Sequence, residues 1–119
     1  MTIRSLEDHG PGCSSHLKGL QDALEILKGK WKVLVIGSLS LNGKRRFNEM
    51  QRELSGITAK MLSKELKDLE VNRLVKRTVI DSTPVSVEYE LTEYGKTLNP
   101  VIIEIANWGA EHRKVIMQR

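Results

Sequence analysis

The chain has 119 residues, 39% of them hydrophobic, with nineteen Lys plus Arg against fifteen Asp plus Glu and a net charge of +4. That size and balance fit one compact domain and exclude a largely disordered chain; the single cysteine, Cys13, excludes an intrachain disulfide. The longest apolar runs, Val33 to Gly37 and, interrupted by Glu104, Val101 to Ile105, fall far short of the roughly 20 residues that cross a bilayer.

Residues 1–15 include Gly10, Pro11, Gly12 and two consecutive serines without periodicity, and read as a flexible arm before a domain over residues 16–119. The start, Met1 to His9, has no apolar stretch resembling a signal peptide, so a cytoplasmic location is expected and no membrane partner. Leu17, Leu20, Leu24 and Leu27 then recur at spacings of three and four, which predicts an amphipathic helix ending near Gly29. Trp31, Leu34, Val35 and Leu39 continue that period in a second helix that stops before Asn42-Gly43. Phe47, Met50 and Leu54 mark a short third helix, interrupted by Ser55-Gly56-Ile57. Thr58 is placed to cap a fourth helix running to about Val71, and helix, glycine turn, helix is the helix-turn-helix spacing.

From Leu74 to Leu91 the pattern changes. Val75, Val79 and Ile80, then the strict alternation Val85-Ser86-Val87-Glu88-Tyr89-Glu90-Leu91, predict two half-buried strands joined through Asp81-Ser82-Thr83-Pro84. Thr92-Glu93-Tyr94-Gly95 opens a last helical segment in which Leu98, Val101, Ile105, Trp108, His112 and Val115 alternate spacings of three and four, close to a coiled-coil seam. Pro100 is expected to kink or restart that helix. The fold class is therefore α+β, mostly α: a winged helix-turn-helix with further helices at both ends.

The charge is not spread evenly. Lys44 to Arg77 holds ten basic and five acidic residues, whereas the remainder holds nine basic and ten acidic. An excess of +5 on the central third points to a polyanion-binding surface, although a solvated lysine-rich face carries the same pattern. On a helical projection of about 100° per residue, Lys60, Lys64 and Lys67 lie opposite Leu62, Leu66 and Leu69. The leucines can anchor the helix on Trp31, Leu34, Phe47 and Leu54 while the lysines stay outside, as a helix in the DNA major groove requires. Lys44, Arg45 and Arg46 precede the first helix of the pair, where they are placed to grip phosphates. Arg77 and the Ser82-Thr83 tip belong to the hairpin, which in a winged helix reaches toward the backbone or the minor groove.

The segments Leu27-Lys28-Gly29-Lys30-Trp31-Lys32, Arg46-Phe47-Asn48-Glu49-Met50, Gly56-Ile57-Thr58-Ala59-Lys60-Met61-Leu62, Leu66-Lys67-Asp68-Leu69-Glu70 and Pro84-Val85-Ser86-Val87-Glu88-Tyr89-Glu90-Leu91-Thr92-Glu93-Tyr94-Gly95 follow one another in order. From about Leu24 to Trp108 they resemble the HxlR-type winged helix-turn-helix transcriptional regulators of the MarR-like superfamily. The resemblance implies a bacterial or archaeal homodimer on double-stranded DNA, with Thr58, Ala59, Lys60 and Ser63 at the base-reading end of the recognition helix. It also implies dimer contacts in the first and last helices, which here carry Leu17, Leu20, Leu24, Leu98, Val101, Ile102, Ile105, Trp108 and His112. Some relatives sense electrophiles or oxidants through an N-terminal cysteine, commonly followed by proline. Cys13 is the candidate sensor here; it departs from that pattern, being followed by Ser14 and lying eighteen residues before Trp31.

Other classes find little support. Cys13 lies four residues from His9 and three from His16, but Gly10-Pro11-Gly12 opposes the helix that would gather them, so no metal site is read. No glycine-rich phosphate loop, His-Glu zinc signature or nucleophile elbow occurs, and neither catalysis nor a cofactor is expected. No residue pattern identifies a small-molecule effector. The alternative reading is a winged helix that turns its basic face to an acidic protein, which a salt titration against duplex DNA separates from DNA binding.

Overall fold

The computed structural model describes residues 13–118, in the order α1 (Cys13–Leu27), α2 (Lys32–Asn42), β1 (Arg45–Arg46), α3 (Phe47–Glu53), α4 (Ala59–Val71), β2 (Val75–Ile80), β3 (Ser86–Leu91), a 3-10 turn (Gly95–Leu98) and α5 (Asn99–Met117). Helix α1 opens at Cys13, so Cys13, Ser14 and Ser15 are helical rather than the end of an arm, and the rest of the expected arm lies outside the described residues. Gly29 separates α1 from α2 in the left-handed conformation, with φ 94°, which glycine adopts without steric cost. Pro100 sits in the first turn of α5, where its missing N–H costs nothing, so the helix restarts there as the sequence predicts.

The core is built where the apolar periods converge. Val35, Ile36 and Leu39 of α2, Met50 of α3, and Leu62, Leu66 and Leu69 of α4 are buried against Leu74, Val75, Tyr89 and Leu91 of the hairpin. Leu34 departs from expectation. It is 45% exposed because the phase of α2 turns Val35, Ile36 and Leu39 toward α4 and leaves Leu34 on the outer side with Leu41. Ile102, expected at the dimer seam, is 7% exposed and packs into the chain's own core. Leu98 is half-buried against the same core.

The expected hairpin is part of a three-stranded antiparallel sheet of order β1-β3-β2. Val75 pairs with Leu91 and Ile80 with Ser86, while Arg45 pairs with Tyr89 and Arg46 with Glu88. A second knot ties the sheet to the recognition helix. Thr92 donates from Oγ1 to the Arg73 carbonyl at 2.7 Å and accepts from the Gly95 N–H at 2.8 Å, and its own N–H donates to the Leu74 carbonyl at 3.1 Å. Gly95 packs so closely on Leu74 that a Cβ there would collide with the carbonyl oxygen, so only glycine fits.

Candidate nucleic-acid interface

Helix α3, the turn through Gly56 (φ 95°) and helix α4 form the helix-turn-helix. The Thr58 hydroxyl accepts from the Met61 N–H at 3.1 Å and caps α4 as its position predicts. The cap fixes where the first turn of α4 begins, and Thr58, Ala59, Lys60 and Ser63 all lie exposed there. The three leucines at positions 62, 66 and 69 are buried, so Lys60, Lys64 and Lys67 stand on the outer face. Among the described residues, Lys60, Lys67 and Arg77 enter no ion pair, which leaves their charge uncompensated on the surface.

The sheet brings the wing to the same side. Arg46, Asn48, Ser63, Arg77, Ser82 and Thr83 line a cleft of about 650 Å³ between hairpin and recognition helix. Ser63, Lys67 and Arg77 share a neighbouring cavity of about 220 Å³ with Glu70 and Tyr89. Asn48 was not singled out by composition or charge. Its signal was its place in the Arg46-Phe47-Asn48 segment, one residue into α3, from which it faces the cleft.

The three cations at positions 44 to 46 do not behave alike. Lys44 lies 3.6 Å from Glu90, and Arg46 lies 3.9 Å from Glu88 with its side chain largely exposed. Arg45 turns inward: its guanidinium is 3.6 Å from Glu53 and its side chain is only 23% exposed. Arg45 is therefore not the free phosphate ligand its position suggested, because alternation along β1 sends neighbouring side chains to opposite faces. Glu53 gathers that side, accepting from the Ser38 hydroxyl and, at 3.0 Å, from Asn42 Nδ2. At the start of α3 the Arg46 N–H donates to Glu49 Oε1 at 2.8 Å, and this bond holds the Glu49 carboxyl below its usual range.

One buried neighbour of α4 escaped the sequence. Lys32, the first residue of α2, is buried under α4 and donates to Glu65 Oε1 at 3.0 Å and Asp68 Oδ2 at 3.1 Å. Burial pushes the Lys32 ammonium toward losing its proton, but the bonds to the two carboxylates and their charge outweigh it and hold it above its usual value.

This arrangement has counterparts of known family. Residues 26–117 match the HxlR-like helix-turn-helix family. The chain belongs to that family. Among relatives, the HTH-type transcriptional regulator YybR of Bacillus subtilis (strain 168) is 40% identical over 93 residues, covering 78% of this chain and 74% of YybR. YvaP of the same organism is 43% identical over 91 residues, covering 76% and 83%. Among solved structures, the redox regulator HypR in its reduced form superposes with a TM-score of 0.76 at 37% identity, covering 85% of this chain and 99% of that one. The reduced transcriptional regulator YodB from B. subtilis gives 0.66 at 39% identity, covering 76% and 87%. This HxlR-like chain is thus a transcriptional regulator of the helix-turn-helix type. Among its described residues no helix is long and apolar enough to cross a membrane.

Proposed function

We propose that the protein is a homodimer that binds a pseudo-palindromic operator, each protomer laying α4 in the major groove of one half-site. The carrying observation is that the unpaired cations of α4 and the wing share one surface with the cleft lined by Arg46, Ser63, Arg77 and Ser82. In this reading Lys60 and Ser63 approach base edges from the first two turns of α4. Lys64, Lys67, Arg77, Lys44 and Arg46 hold phosphates, and Thr83 meets the backbone from the wing tip. Half-sites lie about 34 Å apart, one helical turn, as two-fold symmetry demands. The cytoplasm, where such DNA is met, is the proposed location.

The test is a salt titration on duplex DNA. Affinity is expected to fall steeply with salt, because each neutralised phosphate releases counterions. Binding to an acidic protein with no measurable affinity for any duplex would favour the interaction-module reading instead.

Two neighbours, HypR and YodB, are known in reduced and in oxidised or diamide-treated forms. That likeness supports a redox or electrophile response, for which Cys13 is the available thiol. Cys13 begins α1, and its side chain lies outside the described residues. If the reading holds, Cys13→Ser abolishes an oxidant-dependent change in operator affinity; an unaltered response assigns sensing elsewhere or removes it.

A further inference from the structure

Lys32 is a costly residue where it stands. It is 8% exposed, and it places a positive charge at the N-terminus of α2, the end a helix dipole makes unfavourable for cations. Its partners Glu65 and Asp68 are the acidic side chains on the flank of α4, and Glu65 is itself 8% exposed.

The informative detail is which oxygens are shared. Lys64, on the outer side of the same helix, lies 3.8 Å from Glu65 Oε1 and 3.9 Å from Asp68 Oδ2, the two atoms that Lys32 holds at 3.0 and 3.1 Å. The two lysines therefore compete for one pair of carboxylate oxygens, one from beneath α4 and one from outside. Lys32 occupies hydrogen-bonding distance and Lys64 does not. Lys64 accordingly remains 74% exposed.

We propose that Lys32 is a positioning residue for DNA binding: by satisfying Glu65 and Asp68 from below, it leaves Lys64 free to neutralise a DNA phosphate. Without Lys32, a nearly buried carboxylate loses its cation, and Lys64 is the nearest replacement. It closes onto Glu65 and Asp68 and withdraws from the surface. The recognition helix then loses a phosphate contact although no residue of its outer face has changed.

This inference rests on the DNA-binding reading, and the experiment separates the two. Wild type, Lys32→Met, Lys64→Ala, the double variant Lys32→Met/Lys64→Ala and the triple variant Lys32→Met/Glu65→Gln/Asp68→Asn are titrated with salt on a mixed-sequence duplex of about 30 base pairs. Each is first shown by circular dichroism to be folded at the assay temperature. Should Lys32→Met unfold, Lys32→Gln, which keeps a donor but no charge, takes its place with the same expectation.

Lys32→Met and Lys64→Ala should each lower the salt slope by about one per protomer, and the double variant should lower it no further. The triple variant, with nothing left to attract Lys64 inward, should regain the wild-type slope even if its melting temperature stays low. A merely structural Lys32 changes melting and leaves the slope alone. A wild-type slope in Lys32→Met, an additive loss in the double variant, or an unchanged slope in Lys64→Ala each overturns the proposal. Absence of salt-dependent binding in the wild type overturns the DNA-binding reading itself.

Discussion

At the scale of single residues, the side chains that matter are those whose surroundings fail to account for them. Lys60 is exposed in the first turn of α4 and has no ion-pair partner among the described residues. A lysine there can donate to guanine O6 and N7. Lys60→Ala is expected to cost about 1–3 kcal/mol on a selected operator and less on random duplex, measured by fluorescence anisotropy on both. Equal losses on the two DNAs would make Lys60 a phosphate ligand. Arg73 is unusual for a different reason: it has φ 65° just after α4. Its carbonyl accepts from the Thr92 hydroxyl and its N–H donates to the Glu70 carbonyl at 3.0 Å, so the turn is held by bonds that any residue can make. The side chain only adds steric cost in that region of backbone. Arg73→Gly should therefore raise unfolding stability by about 1 kcal/mol, with the denaturant slope unchanged in urea melts.

At the scale of elements, most of the architecture was legible because local chemistry and final environment agree. The leucine period of α4, the Thr58 cap, the alternation of β3 and the restart at Pro100 all depend on neighbours within a few residues. What escaped was decided at long range. Strand β1 is two arginines with no strand pattern of their own, and only pairing with Tyr89 and Glu88 makes them a strand and turns Arg45 inward. Lys32 carries no local signal of burial, and its place in the core follows from acids 33 and 36 positions away. That link between α2 and α4 carries a stability consequence with a definite sign. The Lys32 proton is bound more tightly in the folded chain than in the unfolded one, so its contribution is complete at neutral pH. It is lost only as pH climbs beyond the ordinary lysine value of 10.5 through the higher folded value. Lys32→Met should cost about 3 kcal/mol at pH 7, since it strands a nearly buried carboxylate. The gap between variant and wild type in chemical unfolding should narrow as pH rises beyond the ordinary lysine value. A gap that stays constant as pH rises through that range would remove the Lys32 charge as its cause.

At the scale of the whole molecule, the chain measures 58 × 38 × 24 Å and leaves its end helices poorly covered. Leu17, Leu20 and Leu24 on α1, with Val101, Ile105 and Trp108 on α5, are exposed, and Ile102 is the one residue of α5 that reaches the buried core. Beside α5 lies an apolar groove of about 320 Å³ lined by Leu34, Leu41, Ile105 and Ala106 among others. A monomer seldom keeps so much apolar surface in contact with water, and a second copy related by a two-fold axis would cover both helices at once. Ile105 tests this with little disturbance to the protomer, because it is half exposed and outside the core. If the proposed dimer forms through this surface, Ile105→Glu should convert it to monomers in sedimentation at micromolar concentration while the circular dichroism spectrum stays helical. Its operator affinity should fall by more than about tenfold, because each half-site then binds without the effective concentration that linkage to the other provides. Affinity for a single half-site should change little, since α4 and the wing lie apart from the substitution. A wild-type chain that sediments as a monomer under those conditions would remove the dimer, and with it the reason for a pseudo-palindromic operator.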